Sequence, residues 1–116
     1  MRGSKARDRV ELLQGTLDLL VLRTLLLGPV HGHGIATAIQ RNSEDLLLID
    51  HGSLYPALHR LERKGWLASR WEDTPKKRPM KFYRLTAAGR RQLAAERSKW
   101  EQVCRAIGLV LNRAEG

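Results

Sequence analysis

The stretch DHGSLYPALHRLERKGW, Asp50 to Trp66, decides the fold. Leu54, Ala57, Leu58 and Leu61 fall at i, i+3, i+4 and i+7, the spacing of one apolar stripe along an amphipathic helix. Gly65 stands where a left-handed C-terminal cap is wanted. The other face carries Ser53, Tyr55, Pro56, His59, Arg60 and Arg63, a row rich in hydrogen-bond donors. Such a helix buries one side and offers the other to a partner.

Working outward, Leu12 to Leu27 is apolar nearly all round and reads as a buried helix opened by Thr16 and stopped by Gly28 and Pro29. GHGIATAIQRN follows as a shorter helix with Ile35, Ala36 and Ile39 on one face. The LLLI run, Leu46 to Ile49, is too short for periodicity to assign and is taken as a brief strand. Beyond the central helix, Trp66 to Glu72 and Met80 to Thr86 are rich in aromatic and branched residues, and the turn chemistry of DTPKKRP lies between them. That pattern predicts a two-stranded hairpin with a basic tip. Thr86 to Asn112 lacks proline and predicts one long helix. Its Leu93, Trp100, Val103, Ile107 and Val110 form a seam that wants a partner helix.

Three compact helices followed by a twisted hairpin describe a winged helix-turn-helix. The expected fold class is mainly α with a small β hairpin. A basic flexible arm (1–11) precedes a winged helix-turn-helix DNA-binding domain (12–86), and a C-terminal dimerisation helix (87–116) completes the chain.

Composition narrows the function. The 116 residues make one domain and carry 21 Lys and Arg against 12 Asp and Glu, a net charge of +9. The isoelectric point of about 10.6 favours a polyanionic partner. Between Asp50 and Arg91 stand eleven Lys and Arg and four Asp and Glu, so seven of the nine net charges lie on the central helix, the hairpin and the start of the last helix. Those are the elements a winged helix presents to double-stranded DNA. Lys76, Lys77 and Arg78 at the hairpin tip are expected to contact phosphates. Ser53, Tyr55, His59, Arg60 and Arg63 are expected to face base edges and backbone in the groove.

Other functions are disfavoured. The longest apolar run, Leu17 to Leu27, is broken by Asp18 and Arg23 and falls short of the roughly 20 residues of a bilayer span, so no membrane partner is expected. The basic N-terminus leads to no signal-peptide pattern, and the single Cys104 excludes an internal disulfide, which together point to the cytoplasm. His31, His33, His51 and His59 lack a Cys or carboxylate at ligand spacing, so no metal or other cofactor is expected. Ser53 and His59 are six apart on different sides of the helix, which argues against catalysis. Cys104 lies in the C-terminal seam and reads as a small buried hydrophobe. The alternative function is a winged-helix module that contacts protein or RNA without operator specificity.

LLQGTLDLLVLRTLLLGPVHGHGI, the DHGSLYPALHRLERKGWL segment and KFYRLTAAGRRQL together resemble the PadR family of bacterial transcriptional regulators, in its short form with one C-terminal helix. The most specific part is G-S-L-Y-P-A-L-x-R-L-E-x-x-G, Gly52 to Gly65, followed by Y-x-L-T-x-x-G, Tyr83 to Gly89. The resemblance implies a homodimeric repressor on a palindromic operator. It assigns Trp100, Val103, Ile107 and Val110 to the dimer interface, with help from the first helix. It further implies a small aromatic effector stacked on Trp100 between the two C-terminal helices. The family commonly has an aromatic where this chain has His33, which leaves the role of that residue open.

Two starts compete for the central helix. With Ser53 as N-cap, Pro56 takes the third position, where its missing N–H costs nothing; with Asp50 as N-cap, Pro56 lies beyond the first turn and frees the Gly52 carbonyl. Asp50 is favoured, because it adds a turn at the end that would meet DNA.

Overall fold

The computed structural model describes residues 14–75 and 78–114. In chain order they form α1 (Gln14–Thr24), a 3-10 turn (Leu25–Leu27), β1 (Val30–His31), α2 (Gly32–Asn42), α3 (His51–Arg63), β2 (Leu67–Glu72), β3 (Met80–Leu85) and α4 (Ala87–Leu111). The core centres on α3. Leu54, Leu58 and Leu61 are wholly inaccessible and Ala57 nearly so, clustered with Val21, Leu22 and Leu25 from the first helix and its 3-10 turn and with Ile35 and Ile39 of α2. Burial of each such leucine contributes about 1.5–3 kcal/mol, so the stripe fixes which way α3 faces.

Asp50 is the N-cap of α3, its Oδ1 accepting the Ser53 N–H at 2.8 Å. Pro56 therefore lies inside the helix, as the longer of the two starts requires. Gly65 takes a φ of 81°, the left-handed turn that lets the chain leave α3 and enter β2.

The sheet is antiparallel in the order β1-β3-β2. β2 and β3 pair from Leu67 with Leu85 to Glu72 with Met80, which is the expected hairpin. The third strand was not expected. Val30 and His31 pair with Tyr83 and Phe82, and two residues are too few to show an alternation in sequence. Two further expectations need correction. Thr16 does not open the first helix, which is already running at Gln14. The LLLI run is not a strand: Leu47 and Ile49 pack on the core while Leu46 and Leu48 are exposed, an alternation with no strand beside it. The Leu47 N–H is instead satisfied locally by the Ser43 hydroxyl at 3.0 Å.

α4 is anchored through a tight junction with the end of α3. Thr86 caps it, its Oγ1 accepting the Gly89 N–H at 3.0 Å and lying 2.7 Å from the Gly65 carbonyl oxygen and 3.1 Å from that of Trp66. Gly89 is buried hard against that Trp66 carbonyl, and a Cβ there would overlap the oxygen. The T-A-A-G spacing is thus a packing requirement. Gly89→Ala is expected to cost about 1–3 kcal/mol through overpacking against a rigid backbone group. Thr86→Ala is expected to cost about 1 kcal/mol through the lost cap. Urea unfolding checks both, and an unchanged midpoint for Gly89→Ala would contradict the junction described.

Candidate nucleic-acid interface

With its stripe buried, α3 turns the other side outward. Ser53, Tyr55, Pro56, His59 and Arg63 are exposed along it, and Tyr55, Pro56, His59, Arg60 and Arg63 line one open groove. The residues that sequence spacing placed on this face are therefore together, with one qualification. Arg60 is only 26% exposed, and its Nη2 contacts Asp18 Oδ1 of α1 at 2.5 Å. Its Nε is buried without a hydrogen-bond partner. Burial pushes the Asp18 carboxyl above its ordinary range, while the hydrogen bond and charge of Arg60 pull it back down. Glu96 of α4 adds to the upward push, so Asp18 feels both α3 and α4.

A second charged contact joins α3 to the wing. Glu62 accepts the Ser69 hydroxyl of β2 at 2.6 Å and lies 3.6 Å from Lys81 Nζ of β3. α3 is thus tied on one flank to α1 and on the other to the hairpin.

Tyr55 is outward but not free. Its ring lies over Gly32 at the start of α2, so close that a Cβ at Gly32 would collide with it. It also meets His51 edge to face at 5.5 Å between centroids, His51 meets His33 at 5.7 Å, and His33 stacks with His31 at 6.4 Å. His33 therefore takes aromatic neighbours on the same side of the fold as Tyr55. His31 also caps α2, its Nδ1 accepting the Gly34 N–H at 3.1 Å. The His33–His51 contact was invisible in sequence, because it depends on how α2 sits beside α3, whereas His51 and Tyr55 are four apart on one helix. Together with Tyr55, His59, Trp71 and Lys81, the histidines of the HGHG turn border a groove of about 420 Å³ between α3 and the wing.

On the wing, Lys76 and Lys77 lie outside the described residues. Arg78 is exposed, its carbonyl accepting the Thr74 hydroxyl at 3.2 Å. Trp71 is an addition that sequence reasoning missed. It shares a strand face with buried Leu67, yet it lies beyond the core and is 66% exposed. A lone tryptophan beside the hairpin turn is the signal that would have found it.

The long helix leaves its seam open. Only Gly89 and Leu93 of α4 are buried, whereas Trp100, Val103, Ile107 and Val110 are exposed, with Leu109 and Leu111 beside them. Trp100 and Val103 border an open groove of about 270 Å³ with Gly15, Thr16 and Leu19 of α1 and Glu96. Cys104 is exposed on the single chain, as are the seam residues around it. Among the described residues no group of three or more His, Cys, Asp or Glu is placed to hold a metal ion, and no helix is long and apolar enough to cross a membrane.

Comparison with known proteins bears on this arrangement directly. The transcriptional regulator PadR-like family model matches residues 21–95. A transcriptional regulator from Mycobacterium tuberculosis is 31% identical over 97 residues, covering 84% of this chain and 87% of its own. The crystal structure of a PadR family transcriptional regulator from Eggerthella lenta is 34% identical with a TM-score of 0.76, covering 87% of this chain and 86% of that one. A transcriptional regulator from Clostridium thermocellum superposes with a TM-score of 0.76 at 27% identity, over 82% of this chain and 92% of its own. The fold is a winged helix-turn-helix with a long C-terminal helix, and the chain belongs to the PadR-like family of transcriptional regulators.

Proposed function

We propose that this regulator acts as a cytoplasmic homodimer that represses transcription by occupying a palindromic operator, and that a small aromatic effector releases it. The observation that carries the reading is the division of α3 into a fully buried apolar stripe and an exposed donor-rich face. Ser53, Tyr55, His59 and Arg63 read the major groove in this account, and Lys76, Lys77 and Arg78 of the wing hold phosphates. Arg60 lines the surface groove of α3 with Tyr55, Pro56, His59 and Arg63, and its guanidinium is engaged by Asp18.

The exposed seam of α4 supports the dimer. A row of Trp100, Val103, Ile107 and Val110 left in water is unfavourable for a lone chain and matches a helix awaiting a second copy. Two-fold pairing carries two reading helices and asks for two half-sites about one helical turn apart. In this division of labour 12–86 binds DNA and 87–116 dimerises. The groove beside Trp100 supports the effector reading, since an exposed indole next to apolar Leu19 and Val103 offers a planar ligand a stacking surface.

Selection from random duplexes is expected to recover a palindrome. Against a scrambled duplex the wild type should keep its preference as salt rises, while non-specific binding falls by about 10³–10⁵ between 50 and 200 mM salt if 6–10 phosphates are neutralised. Uniform loss on both duplexes would instead identify a module that contacts protein or RNA without operator specificity. Lys76→Ala with Lys77→Ala should weaken binding to both duplexes and flatten the salt slope by about two. A chain truncated before Trp100 should elute as a monomer in gel filtration. Trp100→Ala should abolish effector-dependent release of DNA, and unchanged release in that variant would remove the effector from this groove.

A further inference from the structure

We infer that Arg60, although it lies on the DNA-facing side of α3, is a positioning residue that seats the reading helix on α1 through Asp18 rather than a residue that reads DNA. The inference rests on the reading of α3 as the recognition helix. A side chain that reads a base must reach outward, yet the Arg60 guanidinium is drawn inward to a carboxylate that is only 14% exposed. The two residues are 42 positions apart, so the contact is a tertiary tie between helices and not a local surface pair. Its cost also argues for a role. The pair is partly desolvated and leaves the Arg60 Nε without a partner, an arrangement in which loss of either member leaves a half-buried charge unpaired.

The tie sits at a junction. On α1, Asp18 directly precedes Leu19, which borders the groove with Trp100, and its carboxyl also feels Glu96 on the far side of that groove. One turn before Arg60 on α3 stands Pro56, whose missing N–H leaves the Gly52 carbonyl without a helical donor. The first turn of α3 is therefore supported by its cap and by Tyr55 on Gly32, and the middle of the helix by Asp18. Glu62 holds the following turn to the wing. Removal of the Asp18 tie leaves the polar flank of α3 referenced to α2 through Tyr55 and to the wing through Glu62, with no polar tie to α1, and the reading face shifts relative to the elements that carry the dimer seam.

Operator binding separates positioning from reading. The full-length chain is titrated with the selected palindromic duplex and with a scrambled duplex, as wild type, Arg60→Ala, Arg60→Lys, Asp18→Asn, the double variant Asp18→Asn with Arg60→Ala, and Arg63→Ala. For a positioning role, Arg60→Ala and Asp18→Asn each weaken operator binding about tenfold, as expected of a coupling contact that does not touch the ligand. The double variant is no weaker than either single one, the salt slope is unchanged, and Arg60→Lys keeps most of the affinity because an ammonium still pairs with Asp18. If Arg60 reads DNA, Asp18→Asn frees it and binding holds or tightens. Arg60→Lys then loses operator preference because it cannot make the two-pronged guanine contact, or Arg60→Ala lowers the salt slope by about one. Either result overturns the inference. Arg60→Lys keeps the charge pair, so it gives an answer even if Arg60→Ala or Asp18→Asn fails to fold. Loss of binding in Arg63→Ala with Asp18→Asn unaffected would sink the inference and spare the recognition helix. No effect from either Arg63→Ala or Arg60→Ala would sink both.

Discussion

Burial of Leu54, Ala57, Leu58 and Leu61 against α1 and α2 is the constraint from which the rest of the molecule follows. Because the four residues repeat at helical spacing, their burial sets both the axis of α3 and its rotation about that axis. The residues opposite the stripe are then turned outward together, while Arg60 at its flank folds back on Asp18. Tyr55, His59 and Arg63 share a face for this reason alone, and any shift in the packing of the stripe would move all of them at once. Charged contacts refine the placement. Asp18 of α1 reaches the helix at Arg60, and Glu62 of the helix itself reaches the wing at Ser69 and Lys81. A reading face already positioned in the free protein limits the ordering cost of binding.

The same economy governs the C-terminal helix. α4 spends only its first turns on the core, with Gly89 pressed against the Trp66 carbonyl and Leu93 buried. The remaining turns carry their apolar residues into solvent. A chain with this shape has a folded head and a sticky handle. Pairing of two handles would convert the second DNA contact into an intramolecular event and multiply the affinity of a modest reading helix. It would also place the groove beside Trp100 next to the seam, where a small molecule could alter how the two heads are spaced.

Much of this was legible in the sequence, and the reasons for success and failure are physical. The stripe of α3, its Asp50 cap, the Gly65 turn, the hairpin and α4 all depend on residues within a few positions of one another, so periodicity and capping chemistry display them. The resemblance carried by Gly52 to Gly65 and by Tyr83 to Gly89 named the family that the comparisons then established. What was hidden depends on distant parts meeting. Val30 and His31 become a strand only because Tyr83 and Phe82 arrive beside them. Leu46 to Ile49 alternates in burial like a strand but pairs with no strand. The pairing of Arg60 with Asp18 spans 42 positions, and nothing nearby in sequence revealed it. Trp71 was missed because exposure at the end of a strand is a property of the assembled fold.

Methylation interference on the selected operator tests the central claim most directly, since a methyl group on guanine N7 projects into the major groove where α3 is held to read. The account predicts two patches of interference at guanine N7, one per half-site, with centres about 10–10.5 base pairs apart or a multiple of that spacing. Interference confined to minor-groove adenine positions, or none at any base, would contradict a major-groove reading helix held out by the Leu54 to Leu61 stripe.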